Sequence, residues 1–271
     1  PKSAVTGNNA CGDVTMSEDE LAAGRCAFGD QIYEHPLDDD YHKARSPIWE
    51  KVTTPMLSAA NWGGQGLHPR GNFEGYVRAA SANKWLEVHG IEHWTEFYTD
   101  YGVSLQKRFF DHFLKGEDNG WAEQPKVQLQ VRHTDHFEQR FEEDWPIPRT
   151  QWTKFYLDPS NMSLTTMPPK GAQDIDYEAM GDGVTFMSEP LSEATEITGP
   201  SALKISISSS TADADVFAVL RVFDGDGAEV VFQGAIDPHT PVGQGWLRAS
   251  HRKLVDELSE PYRPYHSHDE K

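Results

Sequence analysis

KWLEVHGIEHW, residues 84–94, decides how the first half of this chain is read. The hexamer Lys84–His89 is short and largely apolar, and it ends on one histidine, with a second, His93, lying four residues on past Gly90. If the hexamer is a strand buried in a parallel sheet, its carboxyl end opens into a loop where a catalytic base belongs. If it is not, both histidines are ordinary surface residues. The flanking sequence has to decide.

Upstream, PMLSAA (residues 55–60) is an uninterrupted apolar-to-small run of the kind found in strands covered on both faces. A Gly-rich turn, NWGGQGLHPRGN, follows it. FEGYVRAASA is then expected to be a helix with Phe73, Val77 and Ala80 on one side. Downstream, EFYTDYGVSLQKRFFDHFLKGEDNG is the strongest helical pattern in the chain. Tyr101, Leu105, Phe109 and Phe113 recur every four residues, Phe110 and Leu114 are expected to widen the stripe, and Gly116 offers a stop. Strand, helix, strand, helix predicts an α/β layer with a parallel sheet.

Near residues 121–126 the texture changes. KVQLQVR, WTKFYL, SALKISIS, ADVFAVLRVF and EVVFQGAI all read as strands. Leu203, Ile205 and Ile207 alternate with polar neighbours, as in a half-exposed strand. ADVFAVLRVF is apolar at nearly every position, as in a central sandwich strand. DGDG, between it and EVVFQGAI, is a hairpin signal. The fold class expected is therefore α/β plus all-β: a partial parallel sheet with helices, followed by a β-sandwich. Ahead of both, residues 1–37 are polar, with one helix expected at SEDELAAGRCAF, capped by Ser17 with Glu20 completing a capping box. HPLDDDYHKARSPIWEKVTTP reads as a loop and short helix, with Asp38–Asp40 as a solvated acidic run or a helix cap.

The bulk numbers exclude several functions. The 271 residues carry 43 acidic against 24 basic side chains, a formal charge of −19, which disfavours phosphate backbones and anionic membranes. Aromatic residues at 11%, with eight tryptophans, argue for folded structure. Cys11 and Cys26 make neither a metal nor a redox motif and leave a local disulfide and two free thiols both open. No apolar run has transmembrane length and no signal peptide opens the chain, so a cytoplasmic protein is expected. No cofactor, nucleic-acid or membrane partner is expected, and a homodimer is compatible with the reading.

In serine hydrolases of the α/β type the residues run Ser, Asp or Glu, then His, each on a loop at the carboxyl end of a parallel strand. Residues 55–93 reproduce the last part, with His93 in the loop beyond the strand and His89 at the strand's end, where its side chain packs. Spacing alone leaves open whether His93 is a base or a surface residue. His133-Thr134-Asp135-His136 resembles a metal pair without a third ligand in spacing, and His266-Ser267-His268-Asp269 is similar; both are read as solvent-exposed, and no metal is expected.

Several blocks in one order, from about residue 33, resemble the CocE/NonD and X-Pro dipeptidyl-peptidase group of serine hydrolases. They are HPLDDDYHKARSPIWEKVTTPML, the NW of the following loop, VHGIEHW, RFFDHFLKGEDNG, EEDWPIPRTQWTKFYL and SEPLSEATEITGPSALKISISSSTADADVFAVLRVF. The resemblance implies hydrolysis of an ester or amide, including X-Pro dipeptides, through an acyl-enzyme. It implies residues 1–37 as a remnant of a helical cap, 38–123 as the C-terminal part of the hydrolase domain, and 124–271 as an incomplete jelly roll of the galactose-binding-like kind. The chain is thus expected to be an internal to C-terminal piece, inactive alone, with the nucleophile and most of the oxyanion hole upstream, since no G-x-S-x-G occurs in it. His93 becomes the general base. The family's acid falls two residues after the loop Trp, where this chain has Gly64. Glu74 is the nearest carboxylate in that connection, although an exposed first-turn Glu explains it as well. Glu92 adjoins His93 but is expected to point away. Trp62 and Trp94 flank the two loops and are candidates for lining an acyl pocket, with core packing as the alternative. A non-catalytic binding protein with a degenerate site is the competing reading.

Overall fold

A computed structural model describes residues 15–234 and 237–269; Cys11 lies outside them, and Cys26 is a free, exposed thiol. The described residues form two compact units, one of residues 15–46 with 267–269 and one of those between Pro47 and His266.

In the smaller unit α1 (Glu18–Gly24) begins at the expected capping box: the Ser17 hydroxyl accepts from the Glu20 N–H, and the Glu20 carboxylate accepts from the Ser17 N–H at 2.8 Å. It ends at Gly24, short of the expected SEDELAAGRCAF: residues 25–27 are not helical, and α2 (Phe28–Glu34) begins at the last residue of that segment. The acidic run caps rather than floats. Asp39 accepts from the Tyr41 N–H at the start of α3 (Asp40–Lys43) and holds the His35 ring at 2.6 Å.

In the larger unit β1 (Met56–Asn61), β2 (Lys84–His89), β3 (Val127–Arg132) and β4 (Phe137–Glu142) form one sheet in that order. β1 pairs in parallel with β2 from Met56↔Lys84 to Asn61↔His89, and β2 pairs in parallel with β3. KVQLQVR, read from the sequence with the β-rich half, therefore continues the α/β sheet, and β4 turns back antiparallel beside it. β2 is inner and buried along nearly its whole length.

Helices cover both faces of this sheet. Leu86, Val88, Val127 and Leu129 join Ala60 and Tyr76 in one cluster, with Tyr76 contributed by α4 (Pro69–Arg78). Trp85 meets Leu105, Phe109 and Trp121 on the other face, beneath α6 (Asp100–Lys115). Thr99 caps α6 and Gly116, at φ 71°, ends it in the left-handed conformation. The apolar stripe on α6 is narrower than expected, because Phe110 and Leu114 point outward at 51% and 77% exposure. Two α-helical turns of spacing cannot show where a partner surface stops.

The W-P-I-P-R motif is structural. Trp145 and Ile147 plug the α4-side core, and Arg149 reaches Glu142 of β4 with both guanidinium nitrogens, Nη2 at 2.6 Å. Glu142 also faces Arg140, which forms a bidentate pair with Glu196 at 2.7 Å. That pairing holds the Glu196 carboxyl down to about 2.

The later strands are short antiparallel pairs: β5 (Tyr156–Asp158) with β6 (Ser163–Thr165), β7 (Asp215–Leu220) with β10 (Gly243–Arg248), and β8 (Val222–Phe223) with β9 (Glu229–Val230). The DGDG turn lies at its expected place, Asp224 accepting from Ala228 and Gly227 at φ 84°. Two expectations fail. Residues 203–207 form no strand, since alternation needs a partner edge before it becomes a ladder. ADVFAVLRVF is not a central strand: Phe217 is 73% exposed and β7 has a single partner. No helix among the described residues is long and apolar enough to cross a membrane.

Leu86 is wholly buried at the centre of the sheet. Leu86→Ala is expected to lower unfolding free energy by about 2–5 kcal/mol, read by urea titration of this chain. The Glu196 carboxylate contributes stability above the ordinary carboxylate range and loses it as pH falls through its folded value near 2. Glu196→Gln should therefore flatten the loss of stability between about pH 4.5 and 2; an unchanged acid limb would remove the ion pair from this role.

Candidate active site

The parallel register of β1 and β2 sets the two functional loops side by side. Asn61 and His89 end their strands opposite each other, and the Trp62 N–H donates to the His89 carbonyl at 3.0 Å, one residue past the ladder. Asn61 then ties the second loop to the first: its Nδ2 donates to the Ile91 carbonyl and, at 3.3 Å, to that of Gln233. Its Oδ1 is buried without a partner among the described residues.

The two glycines after Trp62 differ physically. A Cβ on Gly63 would lie 2.2 Å from the Gln233 carbonyl oxygen, so that position requires glycine. At Gly64 the nearest atom would be Asn61 Oδ1 at 3.2 Å, which a small adjustment relieves. Gly64 lines a cavity of about 430 Å³ together with Ser58, Asn61, His68, Asn72 and His93. Asn72 fastens α4 to β1, its Nδ2 donating to the Ala59 carbonyl at 2.9 Å and to Ser58 Oγ at 3.2 Å.

His93 opens α5 (His93–Tyr98), half-buried, with its ring edge-on to His68 at 5.9 Å between centroids and against Trp94 at 4.7 Å. His68 sits at the start of α4, just before Pro69 at that helix's first position. Among the described residues no carboxylate is hydrogen-bonded to the His93 ring. Glu92 turns to the Thr95 hydroxyl at 2.6 Å, a bond that lowers its acidity range below the usual carboxylate value.

His89 answers the other half of the opening question. Its side chain is buried under α6's face of the sheet, Nδ1 lying 2.8 Å from Glu87 Oε2. Burial pushes the Glu87 carboxyl up, against the pull of His89. Gln130 lies on the same face and clamps the His93 segment at both ends. Its Oε1 accepts from the Gly90 N–H at 2.9 Å and its Nε2 donates to Glu96 Oε1 at 3.0 Å. Neither Gln130 nor His68 stands out in the sequence. His68 carries a faint signal as the residue before a helix-opening Pro, and Gln130 carries none.

The remaining expected site residues are placed elsewhere. Glu74 accepts from Arg263 Nη1 at 2.7 Å and is not brought to His93. Trp62 packs on Phe73, Trp145 and Phe232 and donates to the Gln130 carbonyl at 2.8 Å, so its ring belongs to the core rather than to the cavity. Trp94 is 46% exposed and touches the His93 ring without lining the cavity.

Residues 119–266 match the family model of the X-Pro dipeptidyl-peptidase C-terminal non-catalytic domain. The chain is 26% identical to cocaine esterase of Rhodococcus sp. (strain MB1 Bresler), a match covering 74% of this chain and 44% of the esterase. Two crystal structures of a CocE/NonD family hydrolase from Staphylococcus aureus are similar to it at TM-scores of 0.79 and 0.83, with 31% and 32% identity, each covering 91% of this chain and 45% of the other. The chain thus spans less than half the length of the relatives it matches. On the parallel sheet, the loop histidine and these matches together, the chain belongs to the CocE/NonD, X-Pro dipeptidyl-peptidase-like family of hydrolases.

Proposed function

We propose that this chain supplies the general base of a serine hydrolase that cleaves an ester or amide bond, acyl or X-Pro dipeptidyl, through an acyl-enzyme. One observation carries the reading: His93 follows the carboxyl end of an inner parallel strand and lines the cavity that Gly64 and Asn61 also line. An imidazole there can take the proton of a serine hydroxyl as it attacks a carbonyl, then return it to the leaving group. The serine is proposed to come from sequence outside this chain, which contains no G-x-S-x-G. The β-rich segment is proposed as a jelly-roll module of the same protein, and the substrate as a small-molecule ester, amide or peptide.

Among the described residues no carboxylate holds the tautomer of this base, and Gly64 stands where the acid falls in the resemblance. That vacancy favours the second reading, a binding protein whose chemistry has lapsed. Labelling of the full-length protein by a fluorophosphonate distinguishes the two, since only an activated serine reacts.

In the full-length enzyme, His93→Ala is expected to cut ester hydrolysis by about 10³-fold or more while the fold persists; activity near wild type rejects His93 as base. Gly64→Asp is expected to raise kcat/KM at least about ten-fold by giving the imidazole a carboxylate across the cavity. Gln130→Met removes the bonds to Gly90 and Glu96, and is expected to lower kcat by about ten-fold with little change in KM, because the base is displaced without loss of substrate contacts. Equal effects on kcat and on thermal inactivation alone would make Gln130 merely structural.

A further inference from the structure

We propose that the tip of the β3–β4 hairpin is a transition-metal site, with His133, His136 and Glu138 as its protein ligands. The sequence shows two histidines three apart and stops there; the fold adds the third donor. β3 ends at Arg132 and β4 begins at Phe137, and the turn between them closes through the His133 N–H donating to the His136 carbonyl at 2.8 Å. This brings the two imidazoles face to face, centroids 4.5 Å apart and planes 9° from parallel. Alternation along β4 then sets residue 138 on the same side as residue 136. One donor atom from each of the three side chains falls within 4.8 Å of the others.

The contacts fit metal ligation. His133 Nε2 lies 3.2 Å from Glu138 Oε2, a separation that a divalent cation can bridge. Asp135 Oδ1 holds His136 Nδ1 at 2.7 Å, the carboxylate–histidine arrangement that fixes a ring's tautomer and turns Nε2 outward as the ligand. Two imidazole nitrogens and one carboxylate oxygen suit zinc, nickel or copper rather than calcium or magnesium, whose sites are all oxygen. All three side chains are exposed, so they can close from their present spacing onto bonds of about 2.1 Å, and water can complete a tetrahedron. Arg132 is the nearby opposing charge. Its guanidinium is occupied by backbone carbonyls, at His136 and at Val231.

The site also has a structural address. The ring of Phe137, between His136 and Glu138, lies so close to Gly90 that a Cβ there would sit 2.2 Å from it. A metal at the tip would therefore brace the strand that covers the start of the His93 segment.

Calorimetric titration of this chain with zinc chloride, after treatment with a chelator, tests the site. One equivalent is expected to bind with a micromolar dissociation constant. His133→Ala and His136→Ala are each expected to weaken it at least ten-fold, and Glu138→Gln several-fold, with unchanged thermal stability in the absence of metal. Cobalt should give visible absorption bands of a tetrahedral complex in the wild type and lose them in both histidine variants. Absence of a saturable site, or wild-type affinity in the histidine variants, overturns the proposal, the latter by placing any bound metal at other histidines.

Discussion

The parallel pairing of β1 with β2 is the constraint on which the site depends. Parallel strands present their carboxyl ends at the same edge, so the loops after Asn61 and His89 must emerge together. The Trp62–His89 bond extends the ladder by one residue, and the Asn61 amide then grips the Ile91 carbonyl. Shift this register by one residue and Asn61 would face the opposite side of the sheet, taking its hold on the second loop with it. The glycine at position 63 belongs to the same constraint, because Gln233 approaches its backbone too closely for any side chain.

The two faces of β2 are built on different principles. Toward α4, Leu86 and Val88 close an apolar cluster with Val127 and Leu129, whose stabilisation grows with the area removed from water. Toward α5 and α6 the strand presents Trp85, then Glu87 and His89, beside Gln128 and Gln130. A buried polar layer stabilises a fold only when its members are matched, and this one is matched in part. Glu87 holds His89, Gln130 spans Gly90 and Glu96, and Glu87 Oε1 and His89 Nε2 remain unbonded among the described residues. Through Gln130 the polar layer ties the chain between β2 and α5 on both sides of His93, at Gly90 and at Glu96.

A similar division holds at β4. Glu142 is buried against two arginines, and Arg140 extends the chain of charges to Glu196. The motif that carries this arrangement, W-P-I-P-R, supplies the core with Trp145 and Ile147 and the strand with Arg149. The block that carries the family resemblance therefore docks a loop onto the sheet.

Hydrophobic periodicity and capping residues are local, and what they determine was readable in the sequence. KWLEVH is a buried strand because five of its six positions lack solvent on either face, α6 stops at Gly116 as expected, and Ser17 with Glu20 begins α1, whereas the helix expected to run on from Glu96 is divided at Thr99, which caps α6. The position of His93 beyond a parallel strand followed from the same reasoning. Side-chain partners are another matter, because they depend on what distant segments bring near. Glu74 stands in the right connection yet is claimed by Arg263, 189 positions away, and Trp62 is drawn into a core completed by Trp145 and Phe232. Glu138 joins His133 and His136 only because the hairpin closes, and Gln130 serves the His93 loop only because β3 lies beside β2. Spacing along one chain determined the α/β segment, β1, β2 and α6, and which end of β2 carries the histidine, whereas the strand expected at residues 203–207 did not form because it finds no partner edge. Only the tertiary structure decided what each functional side chain touches, since a hydrogen bond is set by distances of about 3 Å between residues that sequence order leaves unrelated.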